Sequence, residues 1–217
     1  MLVVSSAKRN KPRWQRRKEA RPDEILAAAL ELFTRYGYAA TRLADVAARA
    51  GVSKGTLYLY FPNKAELFKA LVRRALLPNL AEAEAQAARF CGSSRELLGQ
   101  LVGQFARAVV DSPLSGIPKL VISEAGNFPE IARFYFEEVI QRVQRLVESI
   151  LARGMRRGEF RRIDTALAWR VVVAPLVLQV LWKHSFQAYE GEPARLERYV
   201  AAHLDLLFHG LAKEPAA

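Results

Sequence analysis

The sequence predicts an all-α fold, a small three-helix unit near the N-terminus followed by a longer helical bundle. Three observations predict it. Apolar residues recur at the 3,4 spacing of a buried helical face through most of the 217 residues, with no convincing strand alternation. Glycine, proline and serine clusters cut the chain into pieces of helix length. Charge is also segregated: residues 1–80 hold 16 Lys/Arg against 6 Asp/Glu, and the remainder hold 17 against 16. Almost all of the net +11 therefore belongs to the N-terminal unit. That is the footprint of a nucleic-acid-binding head on a near-neutral partner.

Residues 1–20 are expected to form a basic, flexible arm. Lys8, Arg9, Lys11, Arg13, Arg16, Arg17 and Lys18 place seven cations in eleven positions, with Pro12 among them. Such an arm suits phosphates or an adjacent minor groove. A first helix is expected over 22–36, with Pro22, Asp23 and Glu24 in its first turn and Gly37 closing it. Ile25, Ala28, Ala29, Leu32, Phe33 and Tyr36 make its core stripe.

The most informative stretch is 41–66. Thr41 is a good N-cap, and Leu43, Val46, Ala47 and Ala50 share one face of the helix that follows. Gly51 suits the left-handed position at a helix end, and Ser53 can cap the next helix, leaving a Gly-Val-Ser turn. Two short helices joined by three residues are a helix-turn-helix. The second of them, 54–60, sends Leu57 and Phe61 inward. Outward it carries Lys54, Gly55, Thr56, Tyr58 and Tyr60, groups that suit phosphate oxygens and base edges. Pro62 ends it, and Asn63 with Glu66 forms a capping box for one long helix expected over 63–90, kinked at Pro78.

The run Gly51-Val52-Ser53-Lys54-Gly55-Thr56-Leu57-Tyr58-Leu59-Tyr60-Phe61-Pro62-Asn63-Lys64 resembles the signature of TetR/AcrR-family transcriptional regulators. Arg42-Leu43-Ala44-Asp45-Val46-Ala47 and the earlier Ala28, Leu30, Phe33, Tyr36, Gly37 and Tyr38 fit it too. Leu59 departs from it, standing where many members carry Tyr or His. The resemblance implies a helix-turn-helix head over 21–68 and an effector-binding and dimerisation domain over 69–217. DNA contacts are expected from Thr41, Arg42, Ser53, Lys54, Gly55, Thr56, Tyr58, Tyr60 and Lys64, with Lys54, Gly55 and Thr56 nearest the bases.

Beyond the head, helices are expected over 94–111, 117–126, 129–157, 165–190 and 193–212. Aromatic rings among small residues suit a pocket for an apolar or aromatic effector. The candidate lining is Phe105, Phe128, Phe134, Trp169 and Val173, with Glu124 as a polar anchor. The 165–187 segment is apolar on more than one face, which calls for cover on two sides. With a Val200, Leu204, Leu207, Phe208 stripe behind it, the expectation is a four-helix homodimer interface centred on Val177, Leu181, Leu204 and Phe208. Two-fold symmetry then implies a near-palindromic double-stranded DNA operator.

Other classes find little support. No apolar run is expected to reach the length of a membrane span, and residues 1–4 are too short for a signal-peptide core. A single cysteine, Cys91, excludes an internal disulfide framework and fits the cytoplasm. His184, His203 and His209 carry no metal or catalytic spacing, so no enzyme, cofactor or metal is expected. The reading is a ligand-responsive, homodimeric repressor. The alternatives are a nonspecific nucleic-acid or chromosome-organising protein, and a ligand-turning enzyme with an inert head.

Overall fold

The computed structural model describes residues 13–192 and 195–212, with side-chain surroundings from Arg21 onward. Among them there is no strand. Eleven α-helices follow one another: α1 Arg13–Ala40, α2 Leu43–Arg49, α3 Lys54–Tyr60, α4 Lys64–Ala75, α5 Leu77–Arg89, α6 Ser94–Phe105, α7 Gly116–Glu124, α8 Pro129–Tyr135, α9 Gln141–Arg156, α10 Thr165–Ser185 and α11 Leu196–Leu211. One-turn π-helical segments, Ala106–Val110 and Phe136–Ile140, extend α6 and join α8 to α9.

Several expectations need correction. Helix α1 covers Arg13–Ala40 with Pro22 inside it, so residues 13–20, expected in the flexible arm, are helical. The rest of the arm lies outside the described residues. At the other end Gly37, at φ 83°, breaks the α1 geometry as expected of a closing glycine. Tyr36, placed in the core stripe, is 53% exposed, and Leu26 is buried in that helix instead. The long helix over 63–90 is two helices. Leu76 leaves ideal geometry at φ −108°, and Pro78 sits in the first turn of α5, where its missing N–H costs nothing.

The apolar side chains gather into two cores. The first joins the head to the body: Ile25, Phe33, Val46, Leu57, Leu67 and Phe68 pack continuously with Ile117, Leu120, Ile131 and Phe134. Its centre is aromatic, with Phe33 edge-on to Phe68 at 6.0 Å and Tyr38 edge-on to Phe128 at 4.7 Å. The second core holds Leu97, Leu98, Val102 and Ala106 of α6 and its extension against Ile150, Leu151, Trp169, Val172, Leu176 and Phe208. Phe105 and Ile140, in or beside the π segments, touch both cores. Along α6 the buried positions Leu98, Val102 and Ala106 face the second core, whereas Val109 faces the first. A π turn inserts one residue into the helical repeat, which re-aims the buried stripe between the cores.

Helix α10 passes the length and composition test for a membrane span, correcting the expectation that no apolar run approaches one. Its two faces have different surroundings. Trp169, Val172, Leu176 and Val180 are buried, while Leu167, Val171, Leu178 and Trp182 on the other side are exposed.

Candidate nucleic-acid interface and effector site

Helix α2 ends at Arg49, and Gly51 turns the chain at φ 67°. The turn closes with Gly51 N–H donating to Ala48 O and Val52 N–H to Ala47 O, at 3.1 and 3.0 Å. Ser53 then caps α3 as expected. Its Oγ accepts from Thr56 N–H at 3.1 Å and lies 2.9 Å from Thr56 Oγ1. Leu57, fully buried, and Phe61, nearly so, anchor α3 in the first core. The opposite side is thereby presented to solvent. Lys54, Gly55, Tyr58 and Leu59 are exposed there, and Thr56 and Tyr60 are half-buried. A Cβ at Gly55 would meet nothing closer than Ser53 Oγ at 3.9 Å, so a DNA backbone or base edge can approach closely.

Two expected contacts are not on this surface. Thr41 is buried, and its hydroxyl donates to Gly37 O at 2.7 Å, with Leu32 O 3.2 Å away. It does not cap α2, whose N-cap is Arg42 without a side-chain bond. Lys64 turns inward as well. Its Nζ donates to the carbonyls of Tyr38, Ala39 and Thr41 at 2.7, 3.0 and 3.1 Å and lies 4.5 Å from the Tyr38 ring centroid. Three bonds use all three ammonium protons. Lys64 is a strut under the helix-turn-helix. Burial holds its pKa below the ordinary lysine range, opposed by the charge of Glu124.

Leu59 is a residue that sequence reasoning undervalued. At 85% it is more exposed than Tyr58, and it follows Gly55 by four residues on the outward face. That spacing was visible in the sequence. An apolar tip there suits a thymine methyl group.

The six residues proposed to line one effector pocket do not converge. Phe128 packs on Tyr38, and Phe134 lies under Arg73, 4.9 Å from ring centroid to guanidinium. Glu124 accepts from Ala39 N–H at 3.4 Å and from the Asn127 side chain, so it ties the body to the head. Trp169 and Val173 belong to the second core, and Phe105 lies between the cores. Clefts lie elsewhere among the described residues. One of about 310 Å³ lies between α5 and α9, and one of about 600 Å³ lies between the end of the Ala106–Val110 segment, the end of α10 and the start of α11.

Of the interface candidates, Phe208 is buried in the second core of its own chain, with Arg95 stacked over its ring at 4.3 Å. Leu204 packs against that same core, and Val177 and Leu181 are half-buried. The uncovered apolar side is Leu167, Val171, Leu178, Trp182 and Phe186 on and just beyond α10, with Leu206 on α11. No cluster of His, Cys, Asp or Glu among the described residues could hold a metal.

A buried-core helix-turn-helix with its second helix held outward by Leu57 defines a DNA-binding regulator. Comparison with known proteins says which class. Residues 25–71 match the family "Bacterial regulatory proteins, tetR family", and residues 91–202, more than half the chain, match "Tetracyclin repressor-like, C-terminal domain". The chain belongs to the TetR family of transcriptional regulators. It is 24% identical over 177 residues to the fatty acid metabolism regulator protein of Bacillus subtilis, covering 80% of this chain and 90% of that protein. To the transcriptional repressor KstR of Mycolicibacterium smegmatis it is 32% identical over 142 residues, 64% of this chain and 65% of KstR. Its fold is similar to that of Bacillus subtilis FadR solved with stearoyl-CoA. The TM-score is 0.73 at 21% identity, over 87% of this chain and 98% of that one. These relatives are regulators, not enzymes.

Proposed function

We propose that this regulator binds a near-palindromic operator in the bacterial cytoplasm as a homodimeric repressor and is released by a small, largely apolar effector. The observation that carries the reading is the exposed row Lys54, Gly55, Tyr58 and Leu59 on a helix fixed from behind by Leu57. Lys54, Gly55 and Thr56 meet base edges, and Leu59 meets a methyl group. Arg42, Ser53 and Tyr58 meet phosphates, with Tyr60 at the edge of the surface. Support for two copies comes from the uncovered side of α10, since an apolar helix face on this scale calls for a partner. Repression is what the name of KstR states of that protein, and FadR was solved with an acyl thioester. In this division of labour residues 21–68 read DNA and residues 69–217 bind effector and partner, although the first core crosses that boundary.

The test is enrichment of random duplex DNA by the purified protein at about 0.15 M salt. A recovered palindrome with half-sites about one helical turn apart bears the reading out. Tight, salt-sensitive binding with no motif leaves only the phosphate contribution and favours a nonspecific nucleic-acid binder.

A further inference from the structure

The cleft between α5 and α9 has a local cause. Helix α5 buries no side chain and turns Ala87 and Ala88 toward Leu97, Leu146 and Ile150. Methyl groups are too short to fill that space, and about 310 Å³ is left. The rim is electrostatically lopsided. Arg142, Arg145 and Arg153 stand there against one carboxylate, Glu84. Arg142 grips Glu84 through two hydrogen bonds, 2.9 and 2.5 Å, and neither side chain is fully buried. Arg153 is held on the carbonyls of Phe90 and Gly92, whereas Arg145 makes no ion pair within 4 Å among the described residues.

We propose that this cleft binds a small amphiphile with an anionic head and an aliphatic tail, the head taking the place of Glu84 on Arg142. The guanidiniums already select a carboxylate: Glu84 is held below the ordinary range by its bond to Arg142, with Arg145 adding to the pull against partial burial. A ligand carboxylate or phosphate offers the same acceptor geometry from the open side. Leu146, Ala87 and Ala88 receive the tail, above a floor that Leu97 and Ile150, already buried in the second core, close off. The volume admits roughly ten water-sized groups, which sets a medium-chain tail. The regulatory meaning rests on the effector-released reading above. Replacing Glu84 frees α5 from α9, and α5 follows α4 directly at Leu76. The first residue of α4 is Lys64, the strut under the helix-turn-helix.

The full chain is titrated calorimetrically, below micellar concentrations, with decanoate, decanol, decyltrimethylammonium and decanoyl-coenzyme A. Decanoate is expected to bind at least tenfold more tightly than decanol, and the cation not at all. Glu84→Gln, which removes the competing carboxylate, should tighten decanoate about tenfold. Arg142→Gln should weaken it by a similar factor and leave decanol unchanged. Ala87→Leu fills the cleft and should abolish both. If Arg142→Gln fails to fold, Arg145→Gln on the exposed rim carries the same expectation. This variant pattern with decanoate supports the site with a free acid. The same pattern confined to decanoyl-coenzyme A supports it with the thioester's phosphates as the head. Equal affinity for decanoate and decanol overturns the proposal, as does binding that Ala87→Leu leaves intact, or no binding of any probe. Operator affinity measured in parallel separates the two readings. Probe binding in this pattern without operator release upholds the site and removes its effector role. Release by another compound, with no probe bound, overturns the site and leaves the effector-released reading.

Discussion

The two cores of this molecule are built differently. The first draws on both halves of the chain, bringing α1 to α4 together with α7 and α8, and is centred on rings. The second is confined to the body and is mostly aliphatic, with α6, α9, α10 and α11 around it. Helix α5 adds no fully buried side chain to either; only its half-buried Leu77 and Ala87 pack against the first and the second core. The head is therefore continuous with α7 and α8, through the first core, the Glu124 contact to Ala39 and the close approach of Gly116 to Thr34. Packing is tight where α1 meets α7 and sparse where α5 meets α9. A signal to the recognition helix costs least where packing is sparse.

The largest expected effect would break this comparison outright. Phe68 is fully buried at the centre of the first core, touching Phe33 and Tyr38 edge-on. Phe68→Ala should cost about 3–5 kcal/mol. Because the core crosses from head to body, urea unfolding followed by far-ultraviolet circular dichroism should remain a single, shifted transition. Leu151→Ala in the second core is expected to cost about 2–5 kcal/mol on the same principle. A biphasic curve for Phe68→Ala, with the body still folded, would show that head and body are separable.

Lys64 gives the next largest effect and separates two roles cleanly. Lys64→Met removes donors from three carbonyls; water can reach the exposed one of Ala39, while leaving the part-buried ones of Tyr38 and Thr41 short of a donor costs about 1–3 kcal/mol. The melting temperature should fall, while the salt dependence of operator binding keeps its slope. A slope lower by about one, with stability unchanged, would return Lys64 to a phosphate.

Lys64 and Thr41 also show where the sequence stops being legible. Helix-turn-helix spacing, the Ser53 and Asn63 caps and the inward Leu57 and Phe61 are local properties, set within four residues, and all are found as read. The direction of Lys64 depends on carbonyls 23 to 26 residues away, which spacing cannot report. Thr41 has the side chain of a cap, but Gly37 bends the chain so that Gly37 O reaches it first. The six residues expected around an effector are dispersed for a similar reason. Phe128, Phe134 and Trp169 look alike in one dimension, as rings among small residues, yet Phe128 and Phe134 pack in the first core and Trp169 in the second. The α5–α9 cleft follows from alanines facing leucines, a mismatch visible only when the helices are paired.

Trp169 tests how closely the second core is fitted. Its ring is buried there, and its Nε1–H has no hydrogen-bond partner among the described residues. Trp169→Phe loses packing volume but also removes a desolvated donor, whose burial costs about 1–3 kcal/mol. The two contributions oppose, so the net loss should be under about 1 kcal/mol by urea titration, well below the Leu151→Ala cost. A loss as large as that of Leu151→Ala would mean that a hydrogen bond to this N–H forms in solution.

The smallest effect concerns the join between α10 and the first core. His184 Nε2 lies 3.0 Å from Ser115 Oγ, just ahead of α7. Burial lowers its pKa from the ordinary 6.5, and the charges of Lys183 and Lys119 lower it further. The unfolded chain therefore binds the proton more readily than the folded one. Above about pH 6.5 the histidine is neutral in both states and does not change stability with pH. As pH falls below that value the unfolded state is favoured, and the loss levels off once pH passes the lowered folded pKa. His184→Gln should keep a polar partner for Ser115 and flatten this part of the stability profile. The difference between wild type and variant should be measurable from pH 7 down to 5 and be smaller than any effect above. A wild-type profile that instead rises as pH falls would show His184 gaining a proton on folding, and would place an acidic group, not Lys183 and Lys119, beside it.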